Sequence, residues 1–208
     1  MEMTNLKRLI LLFFIFISAI VSNGQINHIS PCYDFSDQIP QIKEYNKNLE
    51  KVFISTFNQD FLIRFIAKPS FDPEYAFQIY QVDDSAFIIE AFEMKTNLWN
   101  NGSPDSINAF RREINITLKQ EIVILFSVII DSQGKYLFGS QEDGEQYNFL
   151  VNTYEGLKCT QVESADADSD INEVIEIMDD LMQYAKDHDY NASPIEEKIK
   201  SLCMRIGC

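Results

Sequence analysis

The sequence predicts a single α+β domain: a mainly antiparallel sheet with helices packed on one face and two helices at the carboxyl end, preceded by a cleaved signal peptide. Three observations predict it. Between Asp60 and Thr96, three runs rich in Phe, Ile and Tyr alternate with turns of Pro, Asp and Ser, the composition of consecutive strands. Further on, apolar residues recur at helical spacing behind capping residues. At the amino end, Lys7 and Arg8 precede an unbroken apolar run over residues 9–17, and small or neutral residues follow to Gly24, the pattern of a secretory leader.

Ser22 and Gly24 suit the −3 and −1 positions of a cleavage site. The chain therefore divides into a signal peptide, 1–24, and one α+β domain, 25–208. The apolar run is short for a membrane-spanning helix, which needs about 20 residues, and no later segment approaches that length. The mature chain is expected to be soluble, with no membrane span after cleavage. No cysteine ends the apolar run, so no lipid anchor is expected. The leader's ending, Asn23-Gly24-Gln25, resembles the exported proteins of Bacteroidota, which implies a secreted or periplasmic bacterial protein.

Residues 30–40 read as an irregular lead-in, 39–51 as an amphipathic helix and 52–57 as a strand. The strands proper are 61–68, 75–82 and 86–94. Side chains alternate across a strand. That places Phe61, Ile63, Phe65, Ala67, Tyr75, Phe77, Ile79, Phe87, Ile89 and Ala91 on one apolar face. The other face is mixed: Leu62, Arg64, Ile66, Lys68, Ala76, Gln78, Tyr80, Val82, Ala86, Ile88, Glu90 and Phe92. A three-residue loop at 83–85 keeps the faces in register and sets Gln78 opposite Glu90 and Tyr80 opposite Ile88, because a one-residue slip would turn every apolar side chain outward. Arg64 then falls beside Gln78 and Glu90, with Tyr80, Ile88 and Phe92 around it. This is the candidate ligand or partner face. The structural alternative is a cross-strand polar pair contributing roughly 0.2–1 kcal/mol.

Residues 100–104 mark a loop, and 107–116 lean towards strand. Thr117 and Gln120 fit a capping box, followed by Leu118, Ile122, Leu125, Phe126 and Ile129 at helical spacing. Short strands are expected over 135–138, 146–151 and 156–163. Asp170 with Glu173 opens a helix striped by Ile171, Val174, Ile175, Met178, Leu181, Met182 and Ala185. Ser193-Pro194-Ile195-Glu196 opens the last helix with a cap, a first-turn proline and a capping-box acid. Its stripe is Ile195, Ile199, Leu202 and Ile206, ended by Gly207.

The formal net charge is −15, and residues from Asp131 onward carry −11 of it. Nucleic acid is disfavoured as a partner, because phosphate binding needs clustered Lys and Arg; a protein partner, including a basic one, is permitted. Four cysteines, Cys32, Cys159, Cys203 and Cys208, suggest disulfides in an exported chain. Three pairings are open; Cys203 and Cys208 are near enough in sequence to close a small loop, which leaves Cys32 with Cys159. Asp166, Asp168 and Asp170 alternate like the first half of a calcium loop, but its glycine and glutamate positions hold Ile171 and Ile177. No metal or cofactor is expected.

No nucleophile motif is present, and His28 and His188 are the only histidines. No catalytic residue is assigned. Asp84-Ser85-Ala86 and Asp105-Ser106-Ile107 match a short O-glycosylation pattern, and Asn115-Ile116-Thr117 the N-glycosylation triplet. The function expected is a soluble, non-catalytic exported domain that binds a protein or other ligand, in the manner of an inhibitor or immunity factor. An apolar-ligand carrier and a hydrolase with scattered carboxylates are the alternatives.

Overall fold

The computed structural model describes residues 40–101, 107–131, 145–163 and 169–208. The leader, Cys32, residues 135–138, the Asp105-Ser106 pair, and Asp166 with Asp168 lie outside them. Eleven elements follow in order: α1 (Pro40–Ile54), β1 (Phe61–Lys68), β2 (Tyr75–Gln81), β3 (Phe87–Met94), α2 (Leu98–Asn101), β4 (Ile107–Ile114), α3 (Ile116–Asp131), β5 (Gln146–Thr153), β6 (Gly156–Glu163), α4 (Asp170–Lys186) and α5 (Ser193–Ile206). The strands form one six-stranded sheet in the order β4-β3-β2-β1-β5-β6, every neighbouring pair antiparallel. The fold is α+β, as the sequence predicts. No described helix is long and apolar enough to cross a membrane.

The β2–β3 hairpin has the predicted register, with Gln78 opposite Glu90 and Tyr80 opposite Ile88. Its loop closes through Val82 N–H donating to Ala86 O (2.9 Å). The Asp83 carboxylate accepts from Ser85 and Ala86 N–H, both at 2.9 Å, which is the local turn that aspartate favours.

Side-chain alternation builds the main core. Ile63, Phe65, Ala67, Phe77, Ile79, Ile89 and Ala91 are wholly buried on one face. Phe65 touches the rings of Tyr75, Phe77, Tyr147 and Phe149. Helices α3, α4 and α5 cover this face through Leu118, Ile122, Leu125, Phe126, Met178, Leu181, Ile195 and Leu202. Each such side chain contributes about 1.5–3 kcal/mol by leaving water. Arg112 ties β4 to the end of α4: Nη1 donates to Tyr184 O (2.8 Å), Asp187 O (2.7 Å) and Tyr190 O (3.0 Å).

Four local expectations are corrected. Phe61 leaves the main core face, because a bulge between Phe61 and Ile63 pairs it with Tyr80 and turns it to the opposite side; Leu62 packs on the main core instead. An extra residue in one strand reverses the alternation beyond it. Residues 52–57 are not a strand. Leu49, Val52 and Phe53 share a helical face and are buried together, and that burial outweighs the β-branched preference of Val52 and Ile54.

Helix α3 starts two residues earlier than its expected capping box implies. Asn115 Oδ1 accepts from Leu118 N–H (2.8 Å), so asparagine and not Thr117 fills the cap. Similarly, Ser193 is the first residue of α5 and Ala192 precedes it, with no side-chain cap. Ser169 caps α4 by accepting from Asn172 N–H (3.2 Å), and Gly207 ends α5 at φ 86°, a left-handed conformation suited to glycine.

Helix α1 closes the second sheet face. Leu49, Phe53 and Phe57 meet Ile66, Ala76, Phe92, Met94 and Leu98 in a smaller cluster. The domain is therefore a sheet with three helices stacked on one side and a single long helix on the other.

Candidate functional site

The face around Arg64 is taken up largely by this smaller layer. Arg64, Gln78, Tyr80 and Phe92 are buried, whereas Ile88 and Glu90 are half-buried. The Arg64 guanidinium lies 4.1 Å from the Phe57 ring centre and 3.9 Å from that of Phe61, and Nη2 donates to Asn58 O (3.1 Å). The bond to Glu90 comes from Gln78 Nε2 (2.9 Å). Six residues that alternation groups together thus split into a packed interior, with Phe57 and the bulge-flipped Phe61 over Arg64, and a narrow strip at Ile88 and Glu90.

A second polar group lies further along the same layer. Lys68, 5 % exposed, donates from Nζ to Asn46 Oδ1 (3.0 Å) and Gln146 Oε1 (3.4 Å). Burial pushes its ammonium down to about 8, and the Glu50 charge offsets this only in part. The same burial raises the Glu50 carboxyl. Asn148, fully buried on the next strand, has no partner among the described residues for either side-chain polar atom, and Gln78 Oε1 has none there.

The accessible site is at the end of the sheet where β1 turns into β2. Gln41, Glu44, Tyr45 and Asn48 of α1 and Leu98 and Trp99 of α2 line a groove of about 430 Å³. Trp99 is the single tryptophan of the chain and remains 52 % exposed. Tyr45 meets it edge to face, ring centres 5.4 Å apart and planes at 73°.

Both aromatic walls are fixed by one buried carboxylate. Glu74 accepts from Tyr45 Oη (2.9 Å) and from Leu98 N–H (2.8 and 3.1 Å). Burial, followed by the Glu74 charge, holds the Tyr45 phenol well above its ordinary value. Next to Leu98, Asn97 Nδ2 donates to Asp72 O (2.7 Å) and Pro69 O (3.4 Å). That bond anchors the β1–β2 turn, which carries the exposed Phe71. Two exposed aromatics therefore stand on segments joined by Asn97 and Glu74. The sequence signal was a lone tryptophan beside a run of Asn and Gly; reading 100–104 as a loop passed over it.

Two carboxylates converge at a third place. Tyr75 Oη donates to Asp179 Oδ1, and Tyr147 Oη to Glu145 Oε2 (2.5 Å). Crowding by protein raises the Asp179 carboxyl, and the charges of Asp180, Glu145 and Glu176 add to the rise. Burial and these carboxylates raise both phenols. Each carboxylate here already accepts a tyrosine hydroxyl, which fits a structural clamp between β2, β5 and α4.

Asp170 stands in the first turn of α4 and pairs with Arg205 (3.4 Å). Among the described residues no cluster of His, Cys, Asp or Glu could hold a metal ion. Cys203 and Cys208 form a disulfide, Cα atoms 4.8 Å apart. Cys159 is also disulfide-bonded. The Asn115 of the glycosylation triplet is occupied as the cap of α3 and donates from Nδ2 to Glu196 (3.1 Å). The chain matches no protein-family model, no curated protein and no solved structure.

Proposed function

We propose that this is an exported, non-catalytic domain that binds its ligand or partner outside the cytoplasm, through the groove between α1 and α2. The observation that carries the reading is Trp99. A large aromatic left half exposed beside a second ring, on supports held rigid by a buried carboxylate, is the kind of anchor that dominates binding surfaces. Rigid supports lower the ordering cost of association. The disulfides are consistent with export. The carrier reading is disfavoured because the Phe side chains that would line a lumen pack ring against ring around Phe65.

The test uses the mature protein and its Trp99→Ala variant as immobilised baits for envelope and culture-medium fractions, with retained proteins and glycans both identified. The expected result is a species held by the wild type and released by the variant. Identical retention by the two baits, with the variant folded by circular dichroism, would remove the groove from the function.

A further inference from the structure

We propose that the groove between α1 and α2 takes a neutral saccharide, stacked on the Trp99 indole and hydrogen-bonded by Gln41, Glu44 and Asn48. The inference rests on the groove being the binding site and adds the class of ligand. Gln41, Glu44 and Asn48 follow one another at spacings of three and four residues, so they stand on one face of α1. At 1.5 Å per residue they extend over about 10 Å along the helix. Each ends in a planar carboxamide or carboxylate, and the two amides offer a donor beside an acceptor. That set suits the vicinal hydroxyls of a sugar, each of which donates and accepts at once. The carbon-bound hydrogens on one face of a pyranose ring then match the flat apolar face of an indole.

The same lining argues against other small ligands. An ammonium group enclosed by aromatic faces needs space between the rings to sit within about 6 Å of each. Tyr45 and Trp99 are already in mutual contact, with ring centres 5.4 Å apart, so they form one continuous wall. The described lining contains no Lys or Arg, which disfavours phosphate and carboxylate ligands. Five of the six described lining side chains carry a hydrogen-bonding group, which disfavours an aliphatic one.

Because Trp99 is the single tryptophan, its emission reports on this site alone. The test titrates the mature protein with cellohexaose, xylohexaose, mannohexaose, laminarihexaose and chitohexaose, following emission and its quenching by acrylamide. At least one hexasaccharide is expected to shift the emission saturably and to shield the indole from acrylamide. Asn48→Ala and Gln41→Ala should each weaken that saccharide by about 5- to 10-fold, the loss expected for one hydrogen bond. Calorimetry with Trp99→Ala, which has no emission to follow, should show binding lost. Circular dichroism checks that each variant is folded.

If no hexasaccharide shifts the emission but Lys- and Arg-rich peptides do, the saccharide proposal fails and the binding groove stands. Saccharide binding unaffected by Asn48→Ala and Gln41→Ala would refute the assignment of these side chains. Should neither sugars nor peptides act, and the Trp99→Ala bait retain whatever the wild type retains, both readings fall.

Discussion

Replacing Lys68 by Met tests the polar layer beneath α1. Lys68 lies at the end of β1 opposite Gln146, with its ammonium among Asn46, Gln146 and Glu50. Burial lowers its pKa from 10.5 to about 8. Below pH 8 both folded and unfolded chains hold the proton, and the folded chain bears the full penalty of a buried charge. Between pH 8 and 10.5 the folded chain releases the proton while the unfolded chain keeps it, so stability rises with pH.

A shift of this size corresponds to about 3 kcal/mol at 1.36 kcal/mol per unit, of which about 2.5 kcal/mol is recovered between pH 7 and pH 10. Above pH 10 the opposite effect begins. Tyr45, Tyr75 and Tyr147 have phenols raised in the fold, so the stability they contribute is complete below pH 10 and falls as the unfolded chain ionises. The window for Lys68 is therefore pH 8 to 10.

Met keeps the length of the side chain and removes the charge, but takes a donor from two amide oxygens, a loss of about 1–3 kcal/mol for each group left unpaired. The variant should lie near the wild type in stability at pH 7. The wild type should gain on it by about 2.5 kcal/mol by pH 10. Urea denaturation followed by circular dichroism at pH 7, 8, 9 and 10 measures both curves. A wild-type-minus-Met difference that stays flat across that range would refute the account of Lys68.

Other substitutions probe the remaining features. Phe65→Ala should destabilise by about 3–5 kcal/mol in thermal or urea unfolding, because four rings close on that side chain. Glu74→Ala leaves the Tyr45 hydroxyl and the Leu98 N–H without their acceptor; the expected loss is about 1–3 kcal/mol per buried group, with Trp99 emission moving to the red as α2 loosens. Asp179→Asn should match or exceed the wild type at pH 7. The carboxyl is raised in the fold, so its contribution is complete below the unfolded pKa of about 3.9 and is lost as pH rises through the higher folded value. The gap between the two proteins should close towards pH 3 in chemical denaturation, and a gap that widens there would reverse the sign argued.

The parts of the fold legible in the sequence were those set by local rules. The hairpin register follows from alternation plus loop length, and the helices α3, α4 and α5 from their apolar period, although each is capped one or two residues ahead of the expected position. What was not legible depends on contacts between distant segments. The bulge that turns Phe61 over Arg64 leaves no mark in a run of Phe-Leu-Ile, because either neighbour would bury equally well. The fate of Val52 and Phe53 was decided by the sheet face that α1 covers, which the local β-branched composition does not reveal. The second face is mixed, as alternation predicts, but its polar members Arg64 and Gln78 are internal, with Phe57 and Phe61 closing over the guanidinium. The groove was missed for the same reason: Tyr45, Glu74 and Trp99 are brought together only by the tertiary fold.

The two sides of the sheet should not open together. The layer under α3, α4 and α5 is held by apolar contact, and exposing it gains nothing from water. The layer under α1 encloses Lys68, Asn46 and Asn148, and Asn148 has no hydrogen-bond partner among the described residues to lose. Solvent entering there hydrates the sealed Asn148 amide, so lifting α1 is a cheaper excursion than global unfolding. Amide hydrogen exchange should therefore run faster along α1 than along α3, giving the molecule a detachable flap on one side of an unyielding core.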